Sequence, residues 1–192
     1  MALSKSREAV ESVAEVFEAD CLGAPFAVYL YDSVSLKSDP ETKEILSYVI
    51  PNIKELLLVI LINRVADARK LSGPEIKFLR KVLGLKQKDL AKKLEISVEH
   101  LSRHENGLPM TAQSEKFFRA LSLREVSKFS ELPESTKKAK IDKAFNAIFE
   151  NMEIQSVVDA GTSIEMHFRL SNCDGPSSGC SPDNAWDENL AA

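Results

Sequence analysis

The chain has 192 residues, a mass of 21.3 kDa and a formal net charge of −4. Hydrophobic residues make up 44% and charged residues 28%, the balance of a soluble globular protein, and with seven Gly and no repeating period this excludes wholesale disorder, a collagen-like chain and a repeat array. Three Cys exclude a disulfide-stapled scaffold, and the longest apolar run, Leu56–Ile62, falls far short of the roughly 20 residues that cross a bilayer.

The length suits one domain, or one domain with an appendage. Met1 to Asp20 has no apolar stretch behind a basic end, so no secretory signal is read there and a reduced cytoplasmic compartment is expected. The net charge hides an asymmetry. Residues 1–68 hold six basic and eleven acidic side chains, residues 69–128 fourteen and seven, and residues 129–192 five and eleven. A basic block between two acidic ones is the footprint of a polyanion-binding surface, or else a solvated lysine-rich face.

In Ser4–Asp20, Val10, Val13, Ala14 and Phe17 recur at three- and four-residue spacing, which predicts a short amphipathic helix stopped by Gly23 and Pro25. From Ala24 to Leu36 the period changes. Phe26, Val28 and Leu30 alternate with Ala27, Tyr29 and Tyr31, which predicts a strand. Ser38-Asp39-Pro40 reads as a turn, and Glu44–Ile50 as a second strand or part of a hairpin. Pro51–Ala68 reads as a helix with Asn52 as a candidate N-cap. It is apolar almost all round at Leu56–Ile62, so it is expected to be buried in the core or against another subunit, or to form a membrane- or toxin-binding face.

Ser72 followed by Glu75 is a capping-box pattern with Pro74 in the first turn, and it opens a helix that Gly84 ends. A short helix over Gln87–Leu94 follows, then a tight turn at Glu95-Ile96. A third helix is capped by Ser97 and runs to Asn106 and Gly107; a fourth spans Ser114 to Leu121. Glu134–Met152 is another amphipathic helix, Ser163–Leu170 alternates like a strand, and Ser171–Ala192 has the composition of a disordered tail.

Two short helices joined by a three-residue turn have the geometry of a helix-turn-helix. Leu90, Ala91 and Leu94 supply one buried face, Ile96 plugs the turn, and Val98 and Leu101 are expected inward on the third helix. Glu99, His100 and Arg103 then face outward. An α-helix fits the major groove, where Arg can bond guanine twice and Glu can accept from the cytosine amino group. Lys86, Lys88 and Lys92 can add phosphate contacts.

Leu79-Arg80, Gly84–Ala91, Ile96-Ser97, Leu101–Arg103 and Glu105-Asn106-Gly107 together resemble the Cro/C1-type (XRE) helix-turn-helix family over residues 71–123. The longer phrase from Leu71 to Gly107 is similar to MqsA/HigA-type antitoxins and related regulators, in which the helix-turn-helix follows a small β-rich module. That module often carries paired Cys-x-x-Cys zinc ligands; here only Cys21 is present. The resemblance implies that Gln87 contacts phosphate or a base at the edge of a half-site. It places Ser97, Glu99, His100 and Arg103 in the major groove and Asn106 on the backbone. It also implies a structural ion pair between Arg80 and Glu105. His104 stands where an aromatic is frequent and is expected to pack or to touch phosphate.

No nucleophile–base order, phosphate loop or carboxylate constellation stands out, so no enzyme, cofactor or metal site is expected. Cys173 and Cys180 have the wrong spacing for a zinc knuckle. His167 is expected on the surface of its strand. The fold expected is mainly α with small β elements. It divides into an N-terminal helix with a β/helix module (1–68), a helix-turn-helix bundle (69–128), a C-terminal helix and strand (129–170) and the tail (171–192). The function expected is a sequence-specific DNA-binding transcription regulator, a homodimeric repressor on a palindrome, with Leu56–Ile62 in the dimer contact. The alternatives are an antitoxin that neutralises a protein toxin and autoregulates, and an interaction module with a vestigial helix-turn-helix.

Overall fold

The computed structural model describes residues 9–131, 134–151, 153–154, 163–171 and 185–188. Strands β1 (Val10–Glu18), β2 (Ala27–Ser38), β3 (Ile45–Val49), β4 (Glu165–Leu170) and β5 (Trp186–Glu188) form one five-stranded sheet. β2 is its axis. β1 runs antiparallel along most of one edge. The other edge is divided: β4 lies parallel to Ala27–Tyr31, and β3 lies antiparallel to Ser35–Ser38. β5 pairs antiparallel with β4. The β part is thus a continuous sheet assembled from both terminal regions, larger than the small elements expected from the sequence.

Two expectations are corrected here. Residues 10–18 are a strand, not a helix. The register of β1 against β2 shifts between Ala14 and Val16, so the core-facing residues Ala14 and Phe17 stand three apart. A β-bulge thereby imitates helical spacing. Opposite it, Asp32 of β2 takes a left-handed conformation (φ 49°), which Asp tolerates better than most residues. The second correction concerns the tail, where Trp186 is fully buried, donating its backbone N–H to Glu55 Oε1 (3.2 Å) and its indole N–H to the Pro51 carbonyl (3.2 Å). Cys173 and Cys180 lie outside the described residues.

Six helices are described: α1 (Ile53–Ala66), α2 (Gly73–Val82), α3 (Gln87–Lys93), α4 (Val98–Glu105), α5 (Ala112–Val126) and α6 (Glu134–Asn146), which runs on into a π-helical turn to Asn151. α5 outruns the predicted Ser114–Leu121 because Thr111 caps it and Leu123 and Val126 add buried positions. Asn52 holds the N-cap position of α1 in a left-handed conformation, with its carbonyl accepting from Leu56 N–H (3.0 Å). α1 packs against α2, α5, α6 and β5. Leu56, Leu58, Val59, Ile60, Leu61, Ile62 and Val65 are at most 2% exposed within the single chain and share one core with Val28, Leu30, Phe168 and Phe118. The apolar face at Leu56–Ile62 is therefore internal core, not the surface of a dimer contact. The all-round apolar character of α1 reflects neighbours on every side.

A polar hub ties this core to the helical bundle. The backbone between α1 and α2 has no ladder partners, and two buried arginines satisfy it instead. Arg64 donates to the carbonyls of Arg69 (3.0 Å) and Lys70 (2.9 Å) and pairs with Glu75. Arg119 donates to the carbonyls of Val65 (2.9 Å), Asp67 and Arg69 (2.7 Å) and pairs with Glu115 at 2.6 Å. Glu115 also accepts from Leu71 N–H (2.9 Å), and Glu75 closes the expected capping box by accepting from Ser72 N–H (2.6 Å). Buried charges persist only when paired and hydrogen-bonded; each charge here is paired, with Glu115 bonded through Oε1 alone. Burial still pushes the Arg119 guanidinium below its ordinary pKa, against the pull of Glu115.

Candidate nucleic-acid interface

α3 and α4 are joined by Leu94-Glu95-Ile96. Glu95 makes the turn with a positive φ of 56°, and Ile96 N–H returns to the Ala91 carbonyl (3.1 Å). The buried Leu90, Ala91 and Leu101 bring the two helices together as their spacing predicts. Glu105, at the end of α4, is the local anchor. Its carboxylate accepts from Arg80 Nε (2.6 Å) and Nη2 (3.1 Å) of α2 and from Gln87 Nε2 (2.8 Å) of α3. One buried anion thus fixes three helices, and the expected Arg80–Glu105 pair is part of that anchor.

A close approach sets the remaining angle. A Cβ on Gly73 would sit 2.6–2.8 Å from the carbonyls of His104 and Glu105 and the amide of Gly107. Only glycine allows the start of α2 to lie against the end of α4.

The opposite side of α4 is open. Ser97 caps the helix by accepting from His100 N–H (3.1 Å). Ser97, Glu99, His100, Arg103 and Asn106 are all exposed, as are Lys86, Lys88 and Lys92 beside them. Glu99, Arg103 and Asn106 follow one another at four and three residues, so they line one face. The Glu99 carboxyl is held below its usual pKa by its own backbone N–H and by the Ser97 hydroxyl, so this group is an anion at neutral pH. The His100 ring stacks on His104 (centroids 4.5 Å apart); His104 is buried, with Nδ1 2.8 Å from the Leu108 carbonyl.

Two expected positions, those of Val98 and His167, are revised, and Gln87 and Asn106 make bonds within the chain. Val98 is 37% exposed, at the N-terminal end of the open face rather than inside it. The buried set of α4 is Leu101, His104 and Glu105, so the inward stripe that Val98 shares is covered from Leu101 onward and left open in the first turn. Gln87 gives its side-chain amide to Glu105 rather than holding it toward solvent. Asn106 donates to the Ser102 carbonyl (2.7 Å), closing its own helix end. His167, expected at the surface, is half-buried, stacked on Tyr29 (5.2 Å) with Nδ1 2.9 Å from the Tyr31 hydroxyl.

The geometry is that of two crossed short helices with the second presenting a polar, partly basic face. Residues 76–131 match the helix-turn-helix family model. This match covers just under a third of the chain and agrees with the Cro/C1-type resemblance carried by residues 79–107. The sheet and the C-terminal elements lie outside it. Neither the curated proteins nor the solved structures contain a match to the chain. Among the described residues, no group of three or more His, Cys, Asp or Glu is placed to hold a metal ion, and no helix is long and apolar enough to cross a membrane.

Proposed function

We propose that the protein is a sequence-specific, double-stranded-DNA-binding transcription regulator that acts as a homodimeric repressor without catalytic chemistry. The observation that carries this reading is the face of α4. A helix with a capped N-terminus holds Leu101, His104 and Glu105 in the bundle and leaves Val98, Glu99, His100 and Arg103 exposed. Residues near the N-terminus of such a helix reach base edges in the major groove. Arg103 suits guanine, the Glu99 anion suits the cytosine amino group, and Val98 offers methyl groups to a thymine methyl. Lys86, Lys88 and Lys92 supply the phosphate contacts that set register. Gln87, through Glu105, acts by positioning.

One such helix reads few base pairs, so genome-scale specificity calls for two on a palindrome. The test is selection of bound duplexes from a random pool at about 150 mM salt, near the physiological value, where non-specific phosphate binding is screened. An enriched inverted repeat, lost in Arg103→Ala, is expected. Absence of any enriched motif overturns the reading. The antitoxin alternative is favoured by the β-rich element that precedes the helix-turn-helix; its signature is copurification of a small basic protein from the neighbouring gene.

A further inference from the structure

Sheet edges are normally guarded by charge, by short length or by cover, because their unpaired N–H and C=O groups invite another strand. Two outer strands here are guarded. β1 carries Glu11, Glu15 and Glu18 and no cation within nine residues, and β5 carries Asp187 and Glu188 within three. β3 is different. Its sequence Ile45-Leu46-Ser47-Tyr48-Val49 has no charge, pairs only with β2 among the described residues, and is exposed throughout. Exposure is 55% at Ile45, 61% at Leu46, 43% at Tyr48 and 58% at Val49, so both of its faces are apolar and open.

We propose that β3 pairs antiparallel with β3 of a second copy of this chain, joining two sheets edge to edge. The sequence of β3 is complementary to itself about Ser47. In an antiparallel ladder centred there, Ser47 faces its own symmetry mate, Leu46 faces Tyr48, and Ile45 faces Val49. Every pair is apolar or neutral, and aromatic–aliphatic cross-strand pairs of this kind stabilise a sheet. The same construction on β1 would crowd six carboxylates around one axis, which argues that the twofold passes through β3. Tyr48 is already fixed for the contact, its ring 5.0 Å from that of Phe17. The inference rests in part on the DNA-binding reading, which needs two recognition helices per assembly. A five-residue ladder is smaller than a standard interface, so the free dimer is weak and is reinforced when both helices occupy one duplex.

The test uses the full chain with Cys21, Cys173 and Cys180 replaced by Ser. In that background Ser47→Cys places a thiol opposite its mate, and mild oxidation is expected to give a covalent species of twice the 21.3 kDa chain mass. Glu18→Cys on β1 is expected to give none. Sedimentation without DNA, at about 100 µM to exceed the dissociation constant of a sub-standard interface, is expected to show dimers for the parent and monomers for Ser47→Lys. Unchanged circular dichroism and thermal melting establish that Ser47→Lys remains folded. A parent that stays monomeric, or a Ser47→Lys variant that stays dimeric, overturns the proposal. A monomer that still selects an inverted repeat overturns the β3 pairing while leaving the DNA reading intact. A β3-linked dimer that selects no sequence supports the pairing and removes the DNA reading.

Discussion

Glu99 sets the sign of the recognition face at its most sensitive point. Among the exposed side chains of α4 it is the anion, and its depressed pKa keeps it charged at neutral pH. An anion beside phosphates weakens binding to every sequence, and it is repaid only where a cytosine amino group donates to it. Glu99→Ala is therefore expected to raise affinity for random duplex while lowering the ratio of specific to random binding, measured by competition titration at fixed salt. Glu55 illustrates the opposite shift. Burial pushes its carboxyl pKa up, and only the Trp186 N–H and Lys140 counteract that. A carboxyl whose folded pKa exceeds its unfolded value holds its proton more tightly in the fold. Its stabilising contribution is full below the unfolded value and is lost as pH rises through the folded one. Glu55→Gln keeps an acceptor for Trp186 N–H and carries no charge. It is expected to melt higher than the parent at pH 8, with the difference shrinking as pH falls through the carboxyl range.

At the scale of elements, Gly73 and Glu95 make opposite predictions. Gly73→Ala places a methyl group within 3 Å of three backbone atoms at the end of α4. Neither helix can yield without disturbing the Glu105 anchor, so a loss of roughly 1–3 kcal/mol in denaturant unfolding is expected, together with weaker DNA binding. Glu95 occupies the left-handed region in an exposed turn. Glu95→Gly is expected to stabilise by up to about 1 kcal/mol, with operator affinity unchanged. The helix-turn-helix was legible in the sequence because its signals are local: the Ser72–Glu75 box, the Ser97 cap, and the stops at Gly84 and Gly107. The exposure of Val98 was not, since spacing puts it on the same stripe as Leu101 and does not say where along α4 the cover ends. The end of α4 is held by Glu105, whose partners lie 18 and 25 residues away. β1 was illegible for a related reason. The extra residue at its register shift lies on β2, and the pattern of β1 alone reads as helix. Trp186 was hidden by the polar composition around it.

For the whole molecule, the hub around Arg64 and Arg119 is the joint on which cooperative folding depends. It lies between the helix that supports the sheet and the helices that present α4, and both arginines are fully buried. Removing one partner of such a pair leaves an uncompensated charge and costs about 3–5 kcal/mol. Arg119→Met strands Glu115 and releases three carbonyls, so a loss of that size is expected in urea unfolding. Replacing Glu115 and Arg119 together by apolar residues is expected to cost less than Arg119→Met alone, because no buried charge is then left unpaired.

The divided edge of β2 also bears on how the protein is made. β4, which pairs with Ala27–Tyr31, is translated more than a hundred residues after it, and β5 later still. The helix-turn-helix segment closes through near neighbours in sequence, whereas the sheet waits for distant ones. During synthesis the bundle emerges from the ribosome able to fold while Val28 and Leu30 still lack β4 beside them. The nascent chain is therefore most vulnerable to aggregation and chaperone capture at β1 and β2, although they leave the exit tunnel before the bundle does.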